Sequence, residues 1–160
     1  MDKFIYMDNS ATTSVKSEVL EEMLPYFSEM YGNPSSIYSL GNRSKVAVEN
    51  AREKIAKAIG ANPKEIFFTA GGSEADNWAL KGIAYRNRDK GNHIITTKIE
   101  HHGILHTCEY LEKQGFRITY LDVDEYGQID LEELEEAIND ETSLISIMFA
   151  NYEIGTIQTS

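Results

Sequence analysis

Two glycines and a serine stand where an apolar segment gives way to a helical pattern, in the stretch FFTAGGSEADNWAL (residues 67–80). Without side chains at Gly71 and Gly72, backbone N–H groups can approach a ligand closely, and a helix N-terminus attracts anions. The stretch therefore predicts an anion-binding turn. Ser73 followed by Asp76 also fits the S-x-x-D capping box, so a capped helix without a ligand is the competing interpretation. The turn matches neither the nucleotide-binding G-x-x-x-x-G-K-S/T loop nor the full G-x-G-x-x-G dinucleotide spacing.

Three histidines and the only cysteine come close together in IEHHGILHTCEY (residues 99–110). His102 and His106, four residues apart, share one face of a helix, but no third histidine joins them locally. Cys108 lies on a different face of that helix from His106. We therefore predict no metal site here. His101 lies just past the strand-like segment HIITT and is the histidine placed to face a ligand.

The stretch DVDEYGQIDLEE (residues 122–133) spaces its acidic residues and Gly127 like a calcium-binding loop. Tyr126, however, occupies a position where an oxygen ligand is expected. The preceding FRITYL is β-branched and aromatic, which is typical of a strand and not of the helix that such a loop needs. We therefore interpret Asp130 with Glu133 as a helix cap and Tyr126-Gly127 as a turn.

A polar pair, Asn151 and Tyr152, directly follows the apolar segment SLISIMFA (residues 143–150). Polar residues in this position are expected at the ligand-facing edge of a parallel sheet. The competing interpretation is a loop whose side chains only satisfy nearby backbone groups.

Apolar periodicity predicts the elements that position these residues. The predicted order is an extended start over residues 4–8, amphipathic helices with apolar positions from Val15 to Phe27 and from Val48 to Ile59, strand 65–69, helix 73–89, strand 93–97, helix 101–114, strand 116–123, helix 130–139 and strand 143–150. Gly60 is predicted to end the second helix.

Strands that alternate with helices predict a mainly parallel sheet with helices on both faces, a three-layer α/β/α sandwich. In such sheets ligands gather at the carboxyl ends of the strands. Gly71, Gly72, Ser73, His101 and the pair 151–152 all follow predicted strands, so we expect them at one edge of the sheet.

The composition sets further limits. A chain of 160 residues fits one domain, and its net charge of −11 and pI of about 4.8 disfavour binding to nucleic acid or anionic membrane. The N-terminus lacks the apolar stretch of a signal peptide, and no run approaches transmembrane length. A single cysteine excludes an internal disulfide. We expect a cytoplasmic protein with no nucleic-acid or membrane partner.

Six stretches together resemble the N-terminal part of a cysteine desulfurase, a pyridoxal 5′-phosphate (PLP) enzyme of the class V aminotransferase group. They are YMDNSATT, GNPSS, AREKIAKAIGANPKEIFFTAGGSEADN, HIITTKIEHHGIL, EYGQIDLEELEEAI and SIMFANYEIGTIQ. The resemblance covers essentially all 160 residues in order. It implies the large domain of a PLP-dependent transferase (fold type I), incomplete at its C-terminus. Residues 1–14 would form an arm near the active site, and residues 15–160 the N-terminal part of the PLP-binding domain.

The resemblance also implies site residues. The turn at Gly72 and Ser73 would bind the PLP phosphate, and His101 would stack on the pyridine ring and assist proton transfers. Ala11 and Thr12, in the SATT loop, would lie near the substrate, L-cysteine. The implied products are L-alanine and a persulfide on an enzyme cysteine, whose sulfur supplies iron–sulfur cluster assembly or thiolation. Relatives are homodimers that pass sulfur to an acceptor.

The sequence departs from the family pattern at one of the implied site residues. Tyr152 stands in NYEIG, where family members usually have Asn, which contacts the phenolic oxygen of the cofactor and helps hold the substrate carboxylate. The tyrosine either replaces that contact from a shifted position or blocks the pocket. It remains a candidate cofactor-binding residue.

The resemblance further implies that the cofactor-holding lysine, the aspartate that pairs with the pyridine nitrogen, the nucleophilic cysteine and the substrate-binding arginine lie beyond residue 160. Cys108 matches none of these positions, and nothing in the sequence lowers the pKa of its thiol. We expect residues 1–160 to be inactive alone, and to self-associate or to need a complementary C-terminal half. The alternatives are a selenocysteine lyase or another class V aminotransferase, and a non-catalytic binding or dimerisation half-domain.

Overall fold

A computed structural model describes residues 4–158 of the chain. Its internal contacts divide the chain into two units, Met1–Phe68 and Thr69–Ser160. No helix among the described residues is both long enough and apolar enough to cross a membrane.

The first unit is helical. Its α-helices are α1 (Ser17–Met23), α2 (Pro25–Ser28) and α3 (Ser39–Ile59), followed by a short 3-10 helix, Pro63–Glu65. The helix predicted between residues 15 and 27 is split, because Pro25 has no N–H to continue α1 and instead begins α2. α3 ends as predicted at Gly60, whose φ of 71° is the left-handed conformation that glycine adopts without strain.

The second unit holds the sheet. Its helices are α4 (Gly72–Asn87), α5 (His102–Lys113) and α6 (Leu131–Ala137), and its strands are β1 (His93–Thr97), β2 (Arg117–Leu121) and β3 (Thr142–Ile145). All three strands are parallel, in the order β2-β1-β3. β1 is therefore the central strand, and each of its five residues is buried.

The connections place helices on both faces of this sheet. The chain passes from β1 to β2 through α5, and then from β2 through α6 to β3 on the other side of β1. Because parallel crossovers are right-handed, two crossovers in opposite directions put their helices on opposite faces. α4 packs against α5 and β3. The predicted α/β/α architecture with a parallel sheet is confirmed for this part of the chain.

The apolar core lies between the sheet and the α4–α5 pair. Its buried members are Leu80 and Ala84 from α4, Ile104, Cys108 and Leu111 from α5, Ile94 from β1, and Phe116. These positions recur every three or four residues along both helices, which is the spacing that puts them on one face. The core therefore holds α4 and α5 against the sheet.

Two predicted strands differ in the structure. Residues 66–69, within the predicted strand EIFFT, are not in a strand, because no described segment pairs with them and a strand requires a ladder partner. β3 stops at Ile145, earlier than predicted. The Ser146 N–H still donates to the Ile95 carbonyl (2.9 Å). The Met148 N–H, however, donates to the Glu100 carboxylate (2.7 Å) and not to a carbonyl of the neighbouring strand. The start at residues 4–8 also pairs with no described strand.

Candidate functional site

A pocket of about 320 Å³ opens at the carboxyl end of the sheet. Its walls come from the segment between β1 and α5 and from the loop that follows β3. The lining residues used below are Glu100, His101, His102, Asn151, Tyr152 and Ile99. This is the edge of the sheet at which the sequence predicts ligand-binding residues.

His101 forms the junction between β1 and α5. It is the N-cap residue of α5, and its Nδ1 accepts a hydrogen bond from the Gly103 N–H at 3.0 Å. Nδ1 therefore carries a lone pair, and the proton of the neutral ring is on Nε2. Nε2 makes no hydrogen bond to another described residue. His101 thus offers the pocket a flat ring with one available N–H.

The glycine–serine turn begins α4, but not with the predicted cap. The N-cap residue is Gly71, in an extended conformation (φ 171°, ψ 176°), and Ser73 lies in the first turn with no capping hydrogen bond. The reach-back contact comes from Glu74, whose carboxylate accepts from the Ala70 N–H at 2.6 Å. The predicted capping box of Ser73 and Asp76 is therefore wrong. Since Ser73 is not used as a cap, its hydroxyl stays available.

The N-terminal ends of α4 and α5 meet at Gly103. A β-carbon on Gly103 would lie 3.0 Å from His101 Nδ1, 3.3 Å from Ser73 Oγ and 3.4 Å from Asp76 Oδ2. Three polar atoms from two helices thus converge on the bare face of one glycine. The structure brings Ser73 and His101 together, although neither Gly72 nor Ser73 is among the described residues that line the 320 Å³ pocket.

Glu100 is a site residue that sequence reasoning missed. Its side chain is 8% exposed, and one carboxylate oxygen accepts from the Thr97 hydroxyl (3.1 Å) and from the Met148 N–H (2.7 Å). Burial raises the pKa of Glu100, and the nearby Asp76 charge adds to the rise, while the two hydrogen bonds oppose it. The available signal was an acidic residue three positions after the apolar strand HIITT, where an unpaired charge is unfavourable if it is buried. Glu100 ties the β1 side of the pocket to the segment after β3.

The loop after β3 is fixed by Asn151, which is 9% exposed. Its side-chain oxygen accepts from the Glu153 and Ile154 N–H groups at 2.9 and 3.2 Å, and its amide nitrogen lies 3.5 Å from the Ile99 carbonyl. A hydrogen bond of 2.8 Å from the Asn151 N–H to the Thr156 carbonyl closes the loop. Asn151 therefore satisfies the hydrogen bonds of nearby backbone groups. This is the role that the competing interpretation gave to both residues of the pair.

Tyr152, by contrast, turns its ring to the pocket. The ring centroids of Tyr152 and His101 are 6.4 Å apart, and their planes are tilted by 54°. The side chain is 53% exposed. The two aromatic rings thus stand beside each other at the mouth of the same pocket.

The candidate substrate residues Ala11 and Thr12 lie in the first unit. The Ala11 N–H donates to the Asp8 carbonyl at 3.2 Å, and the Thr12 hydroxyl is 3.1 Å from the Tyr6 hydroxyl. These contacts form a local turn in the predicted arm. The approach of these two residues to a substrate remains a prediction.

The two metal-like motifs have other roles in the structure. The His102 and His106 rings stack at 5.4 Å, and within residues 4–158 no group of three or more His, Cys, Asp or Glu side chains could hold a metal ion. In the calcium-like stretch, Asp124 accepts from two N–H groups of the turn at Gly127, and Asp130 caps α6 through the Glu132 N–H at 2.8 Å. The predicted turn and the helix cap at Asp130 are confirmed, but Asp130 accepts from the Glu132 N–H, and Glu133 makes no capping contact to a described residue.

Cys108 lies in the core of the second unit. It is fully buried, and burial raises the pKa of its thiol to about 12. A thiol with such a pKa supplies almost no thiolate at neutral pH. Its environment therefore agrees with a structural role and not with that of a sulfur acceptor.

Comparison with known proteins agrees with this geometry. The family model for aminotransferase class-V matches residues 5–160. Cysteine desulfurase IscS of Clostridium botulinum (strain Kyoto / Type A2) is 65% identical over 158 residues, which are 99% of this chain and 40% of that protein. Cysteine desulfurase IscS of Methanosarcina thermophila is 64% identical over 157 residues, 98% of this chain and 39% of that protein.

Solved structures give the same result. A NifS-like protein superimposes with a TM-score of 0.93 at 47% identity, covering 96% of this chain and 42% of that one. SspA in complex with cysteine superimposes with a TM-score of 0.90 at 43% identity, covering 96% and 44%. The chain belongs to the class-V aminotransferase family. It spans about 40% of the length of the curated relatives it matches.

Proposed function

We propose that this chain is part of a PLP-dependent cysteine desulfurase, which takes sulfur from L-cysteine onto an enzyme cysteine and leaves L-alanine. The observation that carries the proposal is the convergence of the Ser73 hydroxyl and the His101 imidazole at Gly103. This convergence lies at the carboxyl edge of a parallel sheet, where such folds bind ligands. The names of the curated relatives support the same reaction.

The turn at the start of α4 fits the phosphate of PLP. The N–H groups of Gly72 and Ser73 donate to no other described residue. A β-carbon on Gly71 or Gly72 would meet nothing within 4 Å, so the space beside the turn is open. The N-terminus of a 16-residue helix also carries a partial positive charge. With the Ser73 hydroxyl, these groups suit an anion held by backbone and side-chain donors.

The pocket that His101 lines suits the pyridine ring. The imidazole of His101 offers a flat surface for stacking, and its Nδ1 is occupied by the Gly103 N–H. His101 Nε2 is then the atom that holds a proton for transfer within the pocket. When bound, PLP supplies the electron sink that weakens bonds to the α-carbon of an amino acid. This chain then has to orient the pyridine ring. His101 and Glu100 form the pocket wall against which the ring is placed.

The finer assignments follow from the same proposal. Tyr152 contacts the cofactor ring, and Ala11 and Thr12 approach the substrate. The complete protein is a cytoplasmic homo-oligomer, or pairs with a complementary C-terminal half, and passes sulfur to an acceptor protein. Its sulfur serves iron–sulfur cluster assembly, as the name IscS of the relatives suggests. Residues 1–14 form the arm, and residues 15–160 belong to the PLP-binding domain.

Quenching of Trp78 fluorescence by pyridoxine 5′-phosphate tests the proposal. Trp78 is the only tryptophan and follows Ser73 by five residues, which is about 8 Å along the helix axis. This ligand keeps the ring and the phosphate but has no aldehyde, so surface lysines do not react with it. We expect saturable quenching, weakened roughly 10- to 100-fold in Ser73→Ala, because a hydrogen bond to a charged group is lost.

Matched variants make the test specific. His101→Ala should also weaken binding, whereas His106→Ala removes an imidazole of the same helix that does not line the pocket and should leave binding unchanged. Ser143→Ala removes a hydroxyl that bonds to the His93 carbonyl at the other end of the sheet, and should also be silent. Absence of quenching, or equal binding by all variants, would contradict the proposed site.

A further inference from the structure

Tyr152 is held in place by its backbone and not by its hydroxyl. The hydroxyl makes no hydrogen bond to any described residue, and about half of the side chain is exposed. The preceding Asn151 is instead buried and accepts from the Glu153 and Ile154 N–H groups, which fixes the backbone on both sides of Tyr152. The position of the phenol ring is therefore set by the loop.

The ring stands beside that of His101. A centroid distance of 6.4 Å and a tilt of 54° fall within the range of favourable edge-to-face contacts between aromatic rings. A flat ligand ring that stacks on His101 would consequently meet the phenol of Tyr152 at its side. The hydroxyl is not needed for that contact.

The ring also leaves the pocket open. With Tyr152 in its wall, the pocket retains about 320 Å³, which lies within the range of small-ligand sites. A tyrosine that blocked the pocket would fill this space and would be buried by the residues around it. Its 53% exposure shows that it lies at the rim.

We propose that the phenol ring of Tyr152, and not its hydroxyl, is a specificity-determining wall that favours flat aromatic ligands stacked on His101. This inference rests on the proposed function, since the ligand meant is the phosphorylated pyridine ring. Where the family usually places a polar Asn contact, this chain uses an aromatic contact. The phosphate is recognised separately, at the N-terminus of α4.

Three substitutions of one residue separate the roles that Tyr152 can have. Titration of Trp78 fluorescence with pyridoxine 5′-phosphate is carried out on the 160-residue chain and on Tyr152→Phe, Tyr152→Leu and Tyr152→Asn. We expect Tyr152→Phe to bind within about 2-fold of the parent, because the ring remains. Tyr152→Leu and Tyr152→Asn should each bind roughly 3- to 10-fold more weakly, because the aromatic contact is lost. Inorganic phosphate, which has no ring, should bind all four proteins equally.

Each other result overturns the inference in a recognisable way. If Tyr152→Phe loses as much affinity as Tyr152→Asn, the hydroxyl is the contact. If Tyr152→Asn binds more tightly than the parent, the tyrosine blocks the pocket. Equal binding by all four proteins, with binding still dependent on His101, would remove Tyr152 from the site while leaving the proposed function intact. Binding that ignores both His101 and Tyr152 would overturn the proposed function itself.

Discussion

Lowering the pH below about 6.5 should destabilise this fold through one buried histidine. His93 begins the central strand β1 and is 4% exposed. Its Nδ1 lies 2.8 Å from the Thr142 hydroxyl on β3, and its Nε2 lies 2.8 Å from the Thr119 hydroxyl on β2. One imidazole therefore links all three strands of the sheet.

The neighbours of His93 select its neutral form. The side-chain amide nitrogen of Asn139 lies 3.2 Å from His93 Nδ1, and the amide is oriented by its oxygen, which accepts from the Glu141 N–H at 3.0 Å. Because an amide nitrogen only donates, Nδ1 must accept, and the ring proton is on Nε2. Burial lowers the pKa of His93, and the charge of Arg117 lowers it further, while Glu141 opposes the shift.

The sign and size of the effect follow from this arrangement. Since the pKa of His93 is lower in the folded state than in the unfolded chain, the unfolded chain binds more protons below pH 6.5. The free energy of unfolding therefore falls as the pH drops from about 6.5 through the folded-state pKa, and is constant below it. Protonation turns His93 Nδ1 from an acceptor into a donor, which then faces the Asn139 amide nitrogen, itself a donor. We therefore expect the free energy of unfolding to fall by about 1–2 kcal/mol.

Urea unfolding at pH 7.5 and pH 5.0, followed by Trp78 fluorescence and circular dichroism, measures this loss. His93→Gln keeps a polar side chain that does not titrate and should lose about 1–2 kcal/mol less than the parent between the two pH values. His106→Gln, at an exposed histidine outside the sheet, is measured as the matched control for the loss of one imidazole. Carboxylate titration is common to all three proteins and cancels in the comparison. An unchanged pH dependence in His93→Gln would refute the assignment to His93.

Three further predictions concern the site and the core. Glu100→Ala should destabilise the chain by about 2–4 kcal/mol in urea unfolding, because the Thr97 and Met148 donors lose a charged acceptor. Since burial raises the pKa of Glu100, its ionisation disfavours folding as the pH rises. Glu100→Gln should therefore be at least as stable as the parent at pH 7.5, and a variant as unstable as Glu100→Ala would contradict this. Gly103→Ala should weaken binding of pyridoxine 5′-phosphate several-fold, because its β-carbon would crowd His101 Nδ1 at 3.0 Å. In fluorescence titration, Gly82→Ala, whose β-carbon would make only an ordinary van der Waals contact with the Trp78 ring at 3.9 Å, should bind normally and gain up to about 1 kcal/mol of stability. The Cys108 thiol should resist Ellman's reagent in the native chain and react after unfolding in urea; rapid native labelling would show that it is accessible.

Local sequence determined the parts of the fold that depend on near neighbours. The apolar periodicity located α5 and β1 to within a residue or two, because side-chain spacing along a helix or strand is fixed by backbone geometry. Gly60 and Asp130 ended and began their helices as predicted, since both act on backbone groups within a few residues. The six matching stretches also determined the family.

The predicted strand at residues 65–69 shows the limit of this reasoning. The composition of the segment is that of a strand, but a strand forms only when another segment supplies ladder hydrogen bonds. No described residue pairs with it in a ladder. Sequence pattern reports the preference of a segment and carries no information about its partner.

The candidate site was likewise predicted from the sequence in part, and the rest depended on the tertiary structure. Sequence placed His101, Ser73 and Tyr152 at the ends of predicted strands, because that position depends only on the order of the elements. Only the tertiary structure decided that Ser73 and His101 converge at Gly103, and that Glu100 joins two walls of the pocket. These contacts link residues up to 48 positions apart, and their distances are set by how helices and strands pack, which no local pattern contains.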